Sequence, residues 1–186
     1  MDIKEFPKDT KPRIIFDYVC ERIAEPLKEL GFKHRKKEKD IYKYDVNFTY
    51  RIWFQPDHRG STRFIVHISI ESEKMARWRD AKYAHTDGVV FTTRLDNLTA
   101  RAQVGGWYDI STLSERERVI SEILKQVNEF AIPYFKKFEN IDLCIDEIKK
   151  QGFLPHRIGT KQRKWDIYKK IELDFIQCFC ENACTE

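Results

Sequence analysis

Glycine and proline are scarce in this 186-residue chain, at 7 and 6 residues, which leaves little material for long flexible linkers. No apolar run approaches the roughly 20 residues that a membrane-spanning helix needs, so no membrane association is expected. The amino end, "MDIKEFPKDTKPR", has no hydrophobic stretch of the kind a secretory signal carries, so export is not expected either. The 5 cysteines are odd in number and scattered, which argues against a disulfide framework and fits free thiols in a reducing compartment. A cytoplasmic protein is the resulting expectation. What the chain does have is burial capacity. Hydrophobic residues at 41% and aromatics at 13% are enough for one well-filled core, and they set aside disorder over the whole length.

Familiar catalytic signatures are missing too. The pair "GG" at 105–106 is not followed by Lys-Ser or Lys-Thr, so it is no phosphate loop, and neither His-Glu-x-x-His nor Gly-x-Ser-x-Gly occurs. The cluster "CFCENAC" (Cys178, Cys180, Cys184) lacks the paired Cys-x-x-Cys spacing of zinc sites and reads as a terminal tail with incidental cysteines. Asp57, followed later by Asp80 and Lys82, faintly matches the acidic pattern of metal-dependent nucleases. That chemistry needs both carboxylates on adjoining strands, whereas here one falls in a turn and the other in a charged loop. No catalytic residue, metal ligand or cofactor is therefore expected. Arg94, Asp96 and Asp109 are the polar residues to inspect first for an unrecognised enzyme.

Charge is concentrated. Residues 31–44 carry a net +4 and residues 152–170 a net +5, so with +4 overall the rest of the chain carries −5. The two segments also share a phrase: "GFKHRKKEKDIYK" at 31–43 and "GFLPHRIGTKQRKWDIYK" at 152–169. The mechanical reading is that Gly ends a helix, Phe32 or Phe153 staples it to the core, and the charged stretch turns the chain in solvent.

The hydrophobic pattern places the elements. Ile15, Val19, Ile23, Leu27 and Leu30 recur at helical spacing, predicting a helix over 12–30 that begins near Pro12 and exits at Gly31. Pro26 should kink or break it. From residue 42 to residue 54 every even position is apolar or aromatic, a strand with one buried face. That run is long for one strand, so a bulge or tight turn near 45–47 is expected to divide it. Phe64, Val66, Ile68 and Ile70 alternate again after "PDHRGS", giving an antiparallel hairpin over 48–71. Residues 71–88 read as a loop or short helix on the rim, 89–95 as a further strand and 105–110 as a short edge segment. Two overlapping capping boxes, Thr112 with Glu115 and Ser114 with Glu117, open a helix over 113–132 that Pro133 ends or bends. Asn140 caps a third helix, which Gly152 closes. Residues 165–176 fit either period, and analogy with the first copy of the phrase favours a strand.

These elements predict an α+β fold: a mostly antiparallel sheet of four to six strands with three main helices packed on one face. The expected organisation is an α+β domain over 1–150 and a basic C-terminal extension over 151–186 packed on the same domain.

The order of the pieces resembles the bacterial family called domain of unknown function 4304. The matching segments are "PLKELGF", the basic and aromatic strand after it, the hairpin "FTYRIWF…FIVHISI", "FTTRLDNL", "GGWYDIS" and "ISEILKQVNEFAIPYFKKFENI". The resemblance covers roughly residues 14–150. It implies an α+β domain and supplies no catalytic residues.

Two functions are compatible with these observations. The first is a non-enzymatic protein-binding domain, an accessory or immunity-type partner, using an exposed sheet face with Thr49, Arg51 and Trp53. The second is nucleic-acid binding through the basic segments 33–43 and 157–170, where lysines and arginines stand beside Tyr42, Tyr44, Trp165 and Tyr168. The candidate binding residues are Lys33, Arg35, Lys36, Lys37, Arg51, Trp53, Arg163, Lys164 and Trp165.

Overall fold

The computed structural model describes residues 4–57, 60–99, 106–152 and 162–180, with backbone alone at 151 and 162–168. Helix α1 (Pro12–Leu27) starts with proline in its first turn and buries Ile15, Val19, Ile23 and Leu27, the stripe the spacing predicts. Pro26 does not break it early. It sits in the last α-turn, so the i→i−4 bond it cannot make is lost at the helix end rather than in mid-helix, and the chain tightens to a 3-10 turn over Lys28–Leu30 before Gly31 exits at φ 83°. Leu30, expected on the buried stripe, is exposed because that tightening rotates it off the face.

The basic stretch after Gly31 is not merely a solvated turn. Lys33–Arg35 forms strand β1, which pairs antiparallel with β2 (Asp40–Tyr44) in the register Lys33 opposite Tyr42 and Arg35 opposite Asp40. Phe32 is buried as the staple reading requires. The expected division of the long alternating run is present: the Asp45 N–H donates to the Phe48 carbonyl, and β3 (Thr49–Pro56) begins after that turn. Tyr44 and Val46 are nevertheless exposed rather than in the core: β2 buries Ile41 and turns its even positions Tyr42 and Tyr44 outward, Val46 lies in the turn, and even positions become buried only from Phe48 onward.

Strand β4 (Arg63–Glu71) completes the hairpin, with Phe64, Val66, Ile68 and Ile70 all buried. Residues 71–88 form more than a rim loop. Ser72 caps helix α2 (Glu73–Tyr83), which buries Met75 and Arg79. Strand β5 (Val89–Arg94) follows, and the short β6 (Tyr108–Asp109) pairs antiparallel with the start of β4. The sheet order is β1-β2-β3-β4-β5 with β6 beside β4.

Helix α3 (Leu113–Gln126) opens on the Thr112–Glu115 capping box; the second candidate box, from Ser114, is not the cap. Pro133 does not end the helix. Five residues of π-helix, Val127–Ala131, precede it, the Ile132 N–H reaches back to the Val127 carbonyl, and α4 (Ile132–Lys136) continues. Inserting a wider turn lets the chain carry a proline that has no N–H to give. Asn140 then caps α5 (Ile141–Gln151), closed by Gly152 at φ 75°.

The strand favoured for 165–176 is a helix instead: α6 spans Gln162–Cys180. Among its described side chains the buried ones are Asp174, Phe175, Cys178 and Phe179, two adjacent pairs one turn apart, which a strand cannot present to one surface. The "CFC" segment is likewise not a loose tail, since Cys178 is buried in α6. The α+β class and the antiparallel sheet are as the sequence predicts, with more helix than three main segments. Among the described residues no helix is long and apolar enough to cross a membrane.

The chain divides into two compact units: one of residues 1–43, 51–68 and 93–133, the other of 44–50, 69–92 and 134–186. Within the first, Phe64 makes edge-on ring contacts with Phe16 and Phe54 and a tilted one with Tyr108. Within the second, Phe48, Tyr50, Phe135, Phe138, Phe175 and Phe179 build a separate aromatic core. Ring pairs of this kind add about 0.5–1.5 kcal/mol each beyond area burial.

Candidate functional site: an arginine and aromatic sheet face

Period-two geometry sorts the strand residues of the first unit onto two faces. Ile41, Ile52, Phe54, Phe64 and Val66 point to the core. The opposite face collects Arg35, Asp40, Tyr42, Arg51, Trp53, Gln55, Arg63 and His67.

Asp40 organises one end of this face. It is fully buried and accepts from Arg35 through both its oxygens, Nε to Oδ1 at 2.8 Å and Nη2 to Oδ2, while Arg51 Nε donates to Oδ2 at 2.9 Å. The Arg35 guanidinium also lies over the Tyr42 ring at 4.3 Å. Trp53 stacks flat on His67, with ring centroids 3.9 Å apart and planes 9° from parallel. The neutral imidazole donates from Nε2 to Gln55 Oε1 at 2.9 Å. Burial, helped by the nearby Arg94 charge, pushes the His67 pKa down to about 4, so the ring is uncharged at neutral pH.

The same construction repeats along the face. Arg94 pairs with Asp96 at 2.9 Å, and Arg63 pairs with Asp57 at 3.1 Å while lying 5.4 Å over the Trp107 ring. The carboxylates Asp40, Asp96 and Asp57 are 0%, 2% and 10% exposed, whereas Arg51, Arg94, Arg35 and Arg63 are 28%, 31%, 35% and 45% exposed. The acids therefore sit behind and the guanidinium rims face outward. The Arg94–Asp96 pair is thus a structural ion pair, and Asp109 accepts from Thr62 and the Ser111 N–H.

The sequence candidates separate accordingly. Arg35, Arg51 and Trp53 share the face, and Lys33 stands opposite Tyr42 at its edge. Lys36 instead donates to Glu21 at 2.6 Å, and Lys37 is exposed in the β1–β2 turn. Arg163, Lys164 and Trp165 have their backbone in the first turn of α6; their side chains lie outside the described set. Residues 157–161 of the second basic segment also lie outside it. Sequence reasoning missed His67, Arg63, Trp107 and Asp40; Asp57 and Asp96 were singled out, but for catalytic patterns rather than as parts of this face. The hairpin's own period would have paired His67 with Trp53.

Among the described residues no reactive thiol joins this face. Burial raises the Cys20 thiol well above its ordinary value, and raises Cys178 and Cys144, the last to about 12. Among the described residues no group of three or more His, Cys, Asp or Glu could hold a metal ion. Asp57, one member of the nuclease-like pattern, is engaged by Arg63 and Ser61, and Lys82 by Gln177.

Fold and face together define an α+β domain with an antiparallel sheet and an arginine and aromatic outer surface. A comparison with curated proteins finds no match to the chain, and one with solved structures finds none. The family pattern described as Domain of unknown function (DUF4304) matches residues 23–137, more than half of the chain, and the chain belongs to that family.

Proposed function

We propose that this domain is a non-enzymatic protein-binding module whose outer sheet face docks an acidic polypeptide surface. The supporting observation is the layering of charge. Arg35, Arg51 and Arg94 are held by carboxylates that are themselves buried, so their exposed rims are fixed donors near the Trp53–His67 stack and Tyr42. Arginines already oriented lose little freedom on meeting a carboxylate, and Trp and Arg are frequent anchors of interfaces.

Nucleic-acid binding through 33–43 has less support. Lys36 is tied to Glu21, while Lys39 and Lys43 lie over the rings of Phe16 and Phe32 at 5.8 and 5.9 Å. These cations lean along their own domain instead of forming a track for phosphates.

The test is binding of a labelled poly-glutamate peptide and, separately, of a single-stranded oligonucleotide to the full chain. The expected result is salt-sensitive peptide binding that weakens about tenfold in Arg51→Ala and in Trp53→Ala, each loss near 1.4 kcal/mol. Peptide binding indifferent to both substitutions, or tighter binding of the oligonucleotide, refutes the proposal.

A further inference from the structure

The second compact unit carries an arrangement unrelated to the sheet face. Arg79 of α2 is buried, and its guanidinium is set by its own neighbourhood: Nη1 donates to the carbonyls of Asp87 and Val89 at 2.8 and 2.9 Å. That leaves Nε directed at α6, where it donates to Asp174 Oδ2 at 3.1 Å. The Tyr83 hydroxyl donates to the other oxygen, Oδ1, at 3.3 Å, and Lys82 Nζ donates to Gln177 Oε1 at 2.7 Å. One turn along, Phe175 and Phe179 pack against Phe48, with ring centroids 6.1 and 5.5 Å away, and Lys74 lies 4.9 Å over the Phe179 ring.

One side of this contact is a preset receptor and the other a helix read at fixed spacing. The receptor groups Phe48, Lys74, Arg79, Lys82 and Tyr83 all fall within the residues that match the family, whereas α6 lies wholly outside them. Backbone carbonyls, not α6, orient the arginine, so the donor for a carboxylate is set independently of the helix. The α2 surface is cationic where it meets α6, and α6 answers with a carboxylate followed by aromatics at the next position and one turn on. Amphipathic helices in grooves are read by anchors at such i and i+4 positions.

We infer that the surface formed by α2 and Phe48 is a helix-binding site, specific for an amphipathic helix with the spacing Asp-Phe-x-x-x-Phe, and that α6 occupies it as an in-cis ligand. The buried Arg79–Asp174 pair sets register, because a helix shifted by one residue leaves Arg79 facing an apolar side chain.

The test uses the full chain carrying Phe175→Ala and Phe179→Ala, which empties the site, with a fluorescent synthetic peptide of residues 162–180 added in trans. The variant is expected to keep a cooperative melt and bind the peptide, while the wild-type chain, already occupied, binds it at least tenfold more weakly. A peptide carrying Asp174→Asn should lose at least tenfold in affinity for the variant. Three results overturn the inference: loss of the whole fold in the double variant, which makes α6 an integral part of the core; a folded variant that ignores the peptide; and equal binding of the Asp174→Asn peptide.

Discussion

Replacing Asp40 with alanine tests the construction of the sheet face directly. The carboxylate is fully buried and accepts three hydrogen bonds, two from Arg35 and one from Arg51. Breaking a buried ion pair by removing one partner costs about 3–5 kcal/mol when the survivor stays desolvated. Here the survivors are guanidiniums 35% and 28% exposed, so water reaches them and part of that penalty is recovered. A loss of about 2–3 kcal/mol is expected, which for a chain of this size lowers Tm by about 5–10 °C. Urea unfolding followed by circular dichroism measures it, with m unchanged if the native surface stays intact. A double-mutant cycle with Arg51→Ala should return a coupling of about 1 kcal/mol, since the two groups touch. Asp40→Ala removes the carboxylate that orients both arginines, so poly-glutamate binding should weaken although no cation is removed. An Asp40→Ala protein with the wild-type urea midpoint, or one that binds the peptide more tightly, would show that the buried acid does not position the face.

Three further outcomes are expected. His67 should titrate with a midpoint near 4 by NMR; because its folded pKa lies below the unfolded value of about 6.5, the unfolded chain binds the extra proton first, and stability should fall as pH drops from about 6.5 toward 4, a dependence lost in His67→Gln. Gly88→Ala should cost more than about 2 kcal/mol in a thermal melt, because the new Cβ would sit 2.5 Å from the Ser72 carbonyl oxygen, backbone that cannot yield, at the junction where the Ser72 N–H also bonds to the Gly88 carbonyl; wild-type stability would contradict the close approach. In a Cys184→Ser background, a thiol reagent should label Cys180, which is exposed, within the dead time and reach Cys20, Cys144 and Cys178 only on unfolding, whereas rapid labelling of two or more thiols in the native state would overturn their burial.

Local pattern accounts for much of this protein. The stripe of α1, its exit at Gly31, the Thr112–Glu115 box, the Asn140 cap and the alternation of β3 and β4 depend on residues within a few positions of one another, so a single sequence displays them. Even the division of the alternating run could be foreseen from its length. Which cations serve as ligand-facing groups could not. Lys36 and Arg35 are neighbours in one basic run, yet one is drawn to Glu21 of α1 and the other to Asp40 across a strand pair, and only the register of β1 on β2 decides that. The Trp53–His67 stack, by contrast, follows from the period of a single hairpin and was within reach of the sequence.

At the C-terminal end the sequence offered two periods and the tertiary structure chose between them. Alternation of Ile171, Leu173 and Phe175 is a true feature of the chain, but Asp174, Phe175, Cys178 and Phe179 found α2 and Phe48 to bury against, and Leu173 was left in solvent. Short apolar patterns are close to degenerate in intrinsic preference, so the surface available for burial settles the outcome. Sequence thus determined most elements up to residue 152, the Thr112 and Asn140 caps and the family. Long-range packing, which desolvates some acids and leaves their arginine partners at the surface, decided which residues form a site.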